Sequence, residues 1–325
     1  MASMKAAILN APDGTPTYGD FPDPKLTEGR QIATMVAAGI HPIVRALASG
    51  KHYASKGAWP MIPGIDTVAR TEDGALIYSG FIDPPYGTFA ERMAVPAAMR
   101  FELPDGADPV QVAGGMNPGL SSWLPLIARK KELEKLGTVL ILGVTGMAGL
   151  LAVQNAFSLG AERVIGTGRN AEGLLQAAKR QAETVTLTGD RQTDGAAIAK
   201  TFGSNAPCLI LDFVWGEPAE AAFDALSHAE FKATDNVDIA YLEIGSMAGA
   251  EASLPASLLR SRRIRISGSG LGSASLAEIL AQVPVYMKLI AERRVEVPTR
   301  VFPLSKIAEA WASNESGRRS VVVPG

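Results

Sequence analysis

A glycine-rich turn between two apolar segments is the feature that most constrains the fold of this chain. Residues 139–154 read VLILGVTGMAGLLAVQ. The first four predict a buried strand, and the residues after the glycines predict a helix that ends at Gly160. In such a turn, Gly143 permits the sharp bend, Gly146 lets a ligand approach the bare backbone, and Gly149 lets the helix lie close to the strand.

The start of this helix is a suitable site for a diphosphate group. Backbone N–H groups and the positive end of the helix dipole both point outward there. A second apolar strand follows about twenty residues later, which is typical of dinucleotide-binding folds. The alternative is a tight strand–helix turn that binds nothing. The predicted cofactor contacts in this loop are Gly143, Thr145, Gly146, Met147 and Ala148.

Apolar strand-like runs alternate with helical patterns over the middle of the chain. Strands are predicted at 139–142, 163–167, 184–187, 209–213, 239–244 and 264–267. Helical patterns lie between them, near 148–159, 171–182, 193–202, 217–229 and 254–261. Strands that are apolar throughout and joined by helices indicate a parallel sheet covered on both faces. The fold class is therefore α/β, with a doubly wound, nucleotide-binding parallel sheet.

The N-terminal and C-terminal regions of the chain do not show this alternation of strands and helices. At 325 residues the chain is too long for one ordinary core, so two domains are expected. Residues 1 to about 116 carry short β-type runs between glycines and prolines, which predicts a β-rich unit such as a barrel. The tail has two helical patterns and a strand-like end that can pack back on the first unit. The predicted divisions are 1–118, 119–270 and 271–325.

Composition narrows the partners and the compartment. The net charge is −2 without a long block of one sign, so neither nucleic acid nor an anionic membrane is an expected partner. No apolar run of about 18 residues predicts a membrane span, and the N-terminus has no signal-peptide pattern. The single cysteine, Cys208, lies in an apolar run and is expected to be a buried, inert thiol. A reducing cytoplasm is the expected location.

The end of the second strand discriminates between cofactors. It reads VIGTGRN, and no carboxylate is present there to hold a ribose 2′-hydroxyl. Gly168 leaves space, Arg169 offers a planar cation suited to a phosphate, and Asn170 can assist. This pattern favours NADP over NAD. The alternative is that Arg169 is a solvated surface residue.

Several motifs together resemble a known family. They are MKAAILNAP, VAAGIHP (36–42), PGID (63–66), GTFAE (87–91), GLSSW (119–123), GVTGMAG (143–149), VIGTGRN (164–170) and LILDFV (209–214). Over nearly its whole length, the chain resembles the zinc-independent medium-chain dehydrogenases/reductases of the quinone oxidoreductase type. The resemblance implies a GroES-like N-terminal catalytic domain, a Rossmann domain, and a C-terminal return to the first domain. It also implies NADPH bound in a cleft and a homodimer formed through the last Rossmann strand, here within 264–270.

The chain departs from this family's zinc-dependent relatives. Ala38 stands where they have a ligand cysteine, and Gly64-Ile65-Asp66 stands where they have Gly-His-Glu. A catalytic zinc needs about three protein ligands, and neither Ala nor Ile can bind one. No metal is therefore expected. Quinone reductases often carry Asn at the position of His41 and Asp at that of Val44, so their substrate roles do not transfer directly.

The resemblance also suggests residues for the chemistry. His41 lies at a position that faces the nicotinamide in relatives, where it orients substrate or donates a proton. Tyr53 lies on a loop that lines the cleft in relatives. The alternatives are a histidine satisfied by backbone groups and a tyrosine on a surface loop.

Further cofactor contacts follow from the same resemblance. Asn117 and Ser121 lie near the domain junction, where they contact the nicotinamide ribose or merely pack. Loops after the later Rossmann strands are expected to hold the nicotinamide through Ile244, Gly245, Ser246, Gly270 and Leu271. Near the C-terminus, Arg318 or Arg319 is expected either to reach the cofactor phosphates or to remain solvated.

The predicted function is metal-free hydride transfer from NADPH to a small-molecule acceptor. Without a metal, a simple carbonyl loses its usual Lewis acid, whereas a quinone or an α,β-unsaturated carbonyl spreads the incoming charge and needs less help. The protein then mainly positions the reactants. The alternatives are a carbonyl reductase or alcohol dehydrogenase, and an NADPH-binding protein with little turnover.

Overall fold

The computed structural model describes residues 2–231, 238–270, 272–273 and 275–325. The chain divides into two compact units. Unit 1 contains the residues up to Pro118 together with Ala281–Gly325, and unit 2 is Gly119–Leu280. The second division lies between Leu280 and Ala281, which is later in the chain than the predicted division after residue 270.

The secondary structure alternates as the sequence patterns indicate, except at one long helix. In chain order, the strands are β1 (Ser3–Ile8), β2 (Thr17–Pro22), β3 (Arg30–Gly39), β4 (Asp66–Thr71), β5 (Leu76–Gly80), β6 (Arg92–Pro96), β7 (Phe101–Glu102), β8 (Thr138–Leu142), β9 (Arg163–Gly168), β10 (Glu183–Thr186), β11 (Pro207–Asp212), β12 (Ile239–Glu243), β13 (Ile264–Gly268), β14 (Thr299–Pro303) and β15 (Arg319–Val323). The helices are α1 (Pro42–Ala48), α2 (Pro109–Glu132), α3 (Met147–Ser158), α4 (Ala171–Lys179), α5 (Arg191–Phe202), α6 (Gly216–His228), α7 (Ala256–Ser261), α8 (Leu276–Ala291) and α9 (Ile307–Ala312).

Unit 1 is built mainly on antiparallel strands, and β14 and β15 are its parallel pair among the described strands. β1 pairs with β2, and a larger sheet has the order β14-β15-β3-β4-β5-β7, with β6 also paired to β3. Along β3, Ala33 and Met35 are buried on one face, and they pack in a core with Phe89 and Met93. Since β15 pairs with β3 through Val321 and neighbouring residues, the end of the chain belongs to the same unit as its beginning.

The long helix α2 was not predicted from the sequence. Its first half contains Gly114, Gly115 and Pro118, which are poor helix formers and read as part of the Gly- and Pro-rich region. Packing explains the glycines. A Cβ on Gly114 would lie 2.9 Å from Thr299 Cγ2, and one on Gly115 would lie 2.6 Å from Val297 Cγ2. The glycines let α2 approach the C-terminal residues of unit 1 closely, and this contact outweighs their low helix propensity.

Unit 2 contains the parallel sheet that the sequence predicts. Its order is β10-β9-β8-β11-β12-β13, and every adjacent pair is parallel. β8 is buried along its whole length, as expected for a strand covered on both faces. The order reverses between β8 and β11, and ligands of such sheets bind at the carboxyl edge beside this reversal.

No helix in the described part of the chain is both long enough and apolar enough to cross a bilayer.

Candidate functional site

The glycine loop connects β8 to α3 at the point where the strand order reverses. Gly143 has φ +85°, a conformation that favours glycine. The N–H groups of Gly143 and Val144 both donate to the carbonyl of Thr167, at 3.1 and 2.9 Å, which ties the loop to the end of β9. On the other side, a Cβ on Gly143 would lie 2.7 Å from Val214 Cγ1, so the loop is packed between β9 and the residues after β11.

Gly146 and Gly149 play different roles in this loop. A Cβ on Gly149 would lie 2.4 Å from the Gly143 carbonyl oxygen and 2.6 Å from Val144 Cα, so the fold itself requires glycine there. At Gly146 the nearest atom to an added Cβ is the same oxygen at 3.8 Å, which is ordinary contact. Gly146 is exposed, and its φ of −84° suits any residue. The protein's own packing therefore does not explain why Gly146 lacks a side chain.

The start of α3 fits the phosphates of a dinucleotide. Gly146 is the N-cap residue and provides no side-chain capping bond to the first turn. The first N–H groups of a helix have no partners within the helix, and the helix dipole favours negative charge there. Ala148 is half-buried and Met147 is buried, so Met147 can contribute a backbone group but little side-chain surface.

Thr145 and Gly168 contact each other rather than leaving a gap. A Cβ on Gly168 would lie 2.4 Å from Thr145 Cγ2, and one on Gly173 would lie 2.5 Å from Thr145 Cβ. The space at Gly168 that the sequence analysis reserved for a phosphate is thus occupied by the Thr145 side chain. Packing accounts for the small residue at this position.

Arg169 and Asn170 follow β9 on the same sheet edge. Arg169 is exposed, and its side chain has no hydrogen bond or ion pair with the rest of the described chain. Asn170 caps α4, with its Oδ1 accepting from the Gly173 N–H at 2.7 Å. Asn170 therefore has a structural role, and Arg169 is the group whose charge remains available to a ligand.

Loops after the later strands also lie at this edge. The N–H groups of Ile244 and Gly245 donate to the Asp212 carbonyl at 2.7 and 3.2 Å, and Ser246 is exposed. After β13, the Gly270 N–H donates to Ser273 Oγ at 2.6 Å. Leu271 lies outside the described residues.

Asn117 and Ser121 lie one turn apart on α2, and both are half-buried. They therefore share a face of the helix. Their predicted contact with the nicotinamide ribose remains a prediction.

His41 lies in a buried polar cluster of unit 1. It is the N-cap residue of α1, and its side chain has no exposed surface. Its Nε2 is 3.2 Å from Asp66 Oδ1, within ion-pair distance, but the angles do not form a hydrogen bond. Neither ring nitrogen has a hydrogen-bond partner among the described residues. A Cβ on Gly39 would lie 2.5 Å from Nε2, so the glycine leaves room for the ring.

Asp66 is held from its other side by a tyrosine. Tyr78 donates its hydroxyl to Asp66 Oδ2 at 2.7 Å, in a buried environment. Burial, followed by the charge of Asp66 and this hydrogen bond, raises the pKa of Tyr78 well above its ordinary value. Tyr78 therefore stays protonated and fixes the carboxylate beside His41.

The two arginines near the C-terminus differ in their surroundings. Arg319 donates from Nη1 to the Ile40 carbonyl at 2.9 Å, and its Nε is buried without a partner in the described chain. Its pKa is lowered to about 10, mainly by burial and also by the charge of Arg45, while Asp66 opposes the shift. Arg318, the predicted phosphate contact, is exposed and pairs with Glu315 at 3.2 Å.

Tyr53 differs from His41 in its exposure. It is 75% exposed and stacks on His52, with ring centroids 4.2 Å apart. The structure thus brings His41 together with Asp66 and Tyr78, and it leaves the Tyr53 hydroxyl open to solvent.

The sequence patterns did not identify the polar groups that surround His41. Asp66 was named only as part of the segment Gly64-Ile65-Asp66, without a role of its own, and Tyr78 was not considered. Asp212, buried at the end of β11, was also missed, although a carboxylate that closes the apolar run LIL is itself a signal. Among the described residues, no group of three or more His, Cys, Asp or Glu side chains is arranged to hold a metal ion.

Comparisons with known proteins bear on the fold and the family. No protein-family model matches the chain. The sequence is 29% identical, over an alignment of 354 residues, to a protein of Emericella nidulans described as a probable NADPH-dependent quinone reductase, covering 95% of this chain and 96% of that protein.

Two solved structures share the fold. One is a mycobacterial quinone oxidoreductase, with a TM-score of 0.82 and 19% identity over 99% of this chain and 100% of that one. The other is the quinone oxidoreductase of Thermus thermophilus, solved alone and with NADPH, with a TM-score of 0.77 and 23% identity over 98% of this chain and 100% of that one. These similarities confirm the predicted fold class and the predicted resemblance, since this chain has the fold of the quinone oxidoreductases.

Proposed function

We propose that this protein is an NADPH-dependent oxidoreductase that transfers a hydride to a quinone or an α,β-unsaturated carbonyl acceptor. The observation that carries the proposal is the open backbone at Gly146, because a ligand explains the missing side chain and packing does not. The similarity to a probable NADPH-dependent quinone reductase over 95% of the chain supports it.

The preference for NADPH over NADH rests on the end of β9. Arg169 is exposed on the same sheet edge as the glycine loop, and its guanidinium can bind a 2′-phosphate through charge-assisted hydrogen bonds. No carboxylate stands in the segment VIGTGRN to repel that phosphate. Arg169 thus supplies the selectivity, and the start of α3 binds the diphosphate.

The reaction needs a hydride and a proton at the acceptor. NADPH supplies the hydride when it is bound. Tyr53, with its exposed hydroxyl, can contact an acceptor directly. His41 is the other proposed group, and a direct role requires its buried ring to become accessible when substrate binds. Until then Asp66 Oδ1 lies 3.2 Å from the Nε2 atom of His41, and Tyr78 fixes the Asp66 carboxylate.

Finer points on metal content, location and assembly belong to the same proposal. Catalysis is independent of zinc, because Ala38 and Ile65 replace ligands found in zinc-dependent relatives. The protein is a cytoplasmic homodimer without nucleic-acid or membrane partners. The dimer forms through β13, which is the edge strand of the unit 2 sheet and is partly exposed along its length.

A turnover screen tests the proposal. Oxidation of NADPH is followed with quinones, enones and simple aldehydes as acceptors. We expect turnover with a quinone or an enone. Turnover with simple aldehydes alone would instead identify a carbonyl reductase, and tight NADPH binding without turnover on any acceptor would identify a cofactor-binding protein.

A further inference from the structure

A fully buried carboxylate at the end of β11 organises the loops around the glycine turn. Asp212 has no exposed surface, and its Oδ1 accepts from the N–H groups of Val214 and Trp215, at 2.8 and 2.9 Å. Its Oδ2 accepts from the Tyr241 hydroxyl at 2.6 Å. Burial raises the pKa of Asp212, and these hydrogen bonds oppose that rise. The carboxylate is therefore costly to bury and fully used in holding its neighbours.

The loop that Asp212 holds has an uncommon backbone. Trp215 has φ +53° and ψ −158°, a region that residues with a side chain rarely adopt. Its ring packs edge-on against Phe223 and Tyr241, with centroids 5.9 and 6.2 Å away. The two hydrogen bonds to Asp212 and this aromatic packing together keep the turn in its strained form.

The strained turn fixes the position of Val214, which packs against the glycine loop. Val214 Cγ1 lies 2.7 Å from where a Gly143 Cβ would be, so Val214 packs directly on the bend after β8. The Val214 carbonyl also accepts from the Ala248 N–H at 2.7 Å. The backbone carbonyl of Asp212 accepts from Ile244 and Gly245. Asp212 thus binds the loop after β12 through its backbone carbonyl, and it positions Val214 against the glycine loop through its side chain.

We infer that Asp212 is a positioning residue for the dinucleotide: through the 213–216 turn it holds the loops of the carboxyl edge in the arrangement that binds NADPH. This inference rests on the proposed function. Asp212 is buried and contacts the ligand only through the backbone groups that it fixes. Its loss therefore weakens NADPH and NADH equally, whereas loss of Arg169 affects NADPH alone.

The test uses a matched pair of variants. Asp194 is also buried, and its carboxylate accepts from the N–H groups of Thr188 and Gly189, at 2.7 and 3.1 Å. These two residues follow β10, which is the edge strand of the sheet on the side opposite β13. Asp212→Asn and Asp194→Asn are compared for thermal unfolding and for the dissociation constants of NADPH and NADH. We expect similar losses of stability, a loss of affinity of about tenfold for both cofactors in Asp212→Asn, and an affinity within about twofold of the parent in Asp194→Asn.

Tyr241→Phe provides a second variant if Asp212→Asn does not fold, because it removes one hydrogen bond and keeps the ring. It should weaken both cofactors in the same direction and by less. Parent-like binding in the variants at Asp212 and Tyr241, or an equal loss in Asp194→Asn, would overturn the inference. A parent protein that binds neither cofactor would refute the proposed function itself, and the inference with it.

Discussion

The glycine loop of unit 2 and the His41 cluster of unit 1 differ in how their polar groups are satisfied. At the start of α3 the backbone is bare and open, and the fold provides no side-chain cap for it. Around His41 the polar groups are enclosed, and both ring nitrogens lack hydrogen bonds within the described residues. The first arrangement presents unused donors to a ligand, whereas the second buries unused groups at a cost of about 1–3 kcal/mol each.

Because of this difference, substitutions at Gly146 and at His41 are expected to act on binding and on stability in different proportions. A ligand role at Gly146 predicts a large effect on cofactor binding and only a small effect on stability, because the residue packs against little. A role at His41 mixes the two, because any change also alters a buried cluster.

The largest effect is expected at Gly149, with Gly146 as its matched control. Gly149→Ala places a Cβ 2.4 Å from the Gly143 carbonyl oxygen, so the backbone must shift. We expect a loss of about 3 kcal/mol in the free energy of unfolding, and loss of NADPH binding.

Gly146→Ala should lower the free energy of unfolding by less than about 1 kcal/mol and still weaken NADPH binding. Denaturant unfolding and cofactor titration measure both. Parent-like NADPH binding in Gly146→Ala would remove the argument for a ligand at this loop.

Turnover should depend on His41 and Tyr53 more than on any other side chains of unit 1. A general acid contributes about 10²–10⁴-fold to the rate. We expect His41→Ala and Tyr53→Phe to lower turnover while the dissociation constant of NADPH stays nearly unchanged. Tyr53→Phe should not alter stability, since the residue is 75% exposed. A His41→Ala variant that loses stability but turns over like the parent would show that the cluster is structural.

Arg169→Ala should separate the two cofactors. A charge-assisted hydrogen bond contributes about 1.5–3 kcal/mol, so we expect NADPH to bind roughly ten- to hundredfold more weakly and NADH almost as before. Solvent screening favours the lower end, because Arg169 is exposed. Arg263, exposed before β13, is the control position. An equal loss for both cofactors would mean that Arg169 supports the diphosphate or the fold.

The smallest effect is expected in the alkylation rate of Cys208, a buried thiol of unit 2. The thiol is 5% exposed, and burial raises its pKa above the ordinary value of 9.0. The folded protein therefore holds the thiol proton more tightly than the unfolded chain does, so this group lowers stability as the pH rises past that value. At neutral pH we expect almost no alkylation of the parent and faster alkylation of Gly149→Ala. Rapid labelling of the native parent would contradict the buried, protonated state.

Local patterns predicted much of unit 2, because its signals lie close together in sequence. Apolar runs identify β8 to β13, and the spacing of Gly143, Gly146 and Gly149 identifies the turn. The helix α2 was missed because the packing partners of Gly114 and Gly115 lie near the other end of the chain. The contact between His41 and Asp66 also joins residues that are distant in sequence, so no local pattern predicts it. Thr145 filling the space at Gly168 is likewise a contact between separate segments.

Metal-free hydride transfer from NADPH is tested most directly by a single-turnover reaction. Protein treated with a chelator, and shown by elemental analysis to contain well under one zinc per chain, is loaded with stoichiometric NADPH and mixed with a quinone. We predict oxidation of NADPH at the same rate as in untreated protein, and a slower reaction or weaker loading with NADH. No oxidation, or oxidation that returns only when zinc is added, would contradict the account.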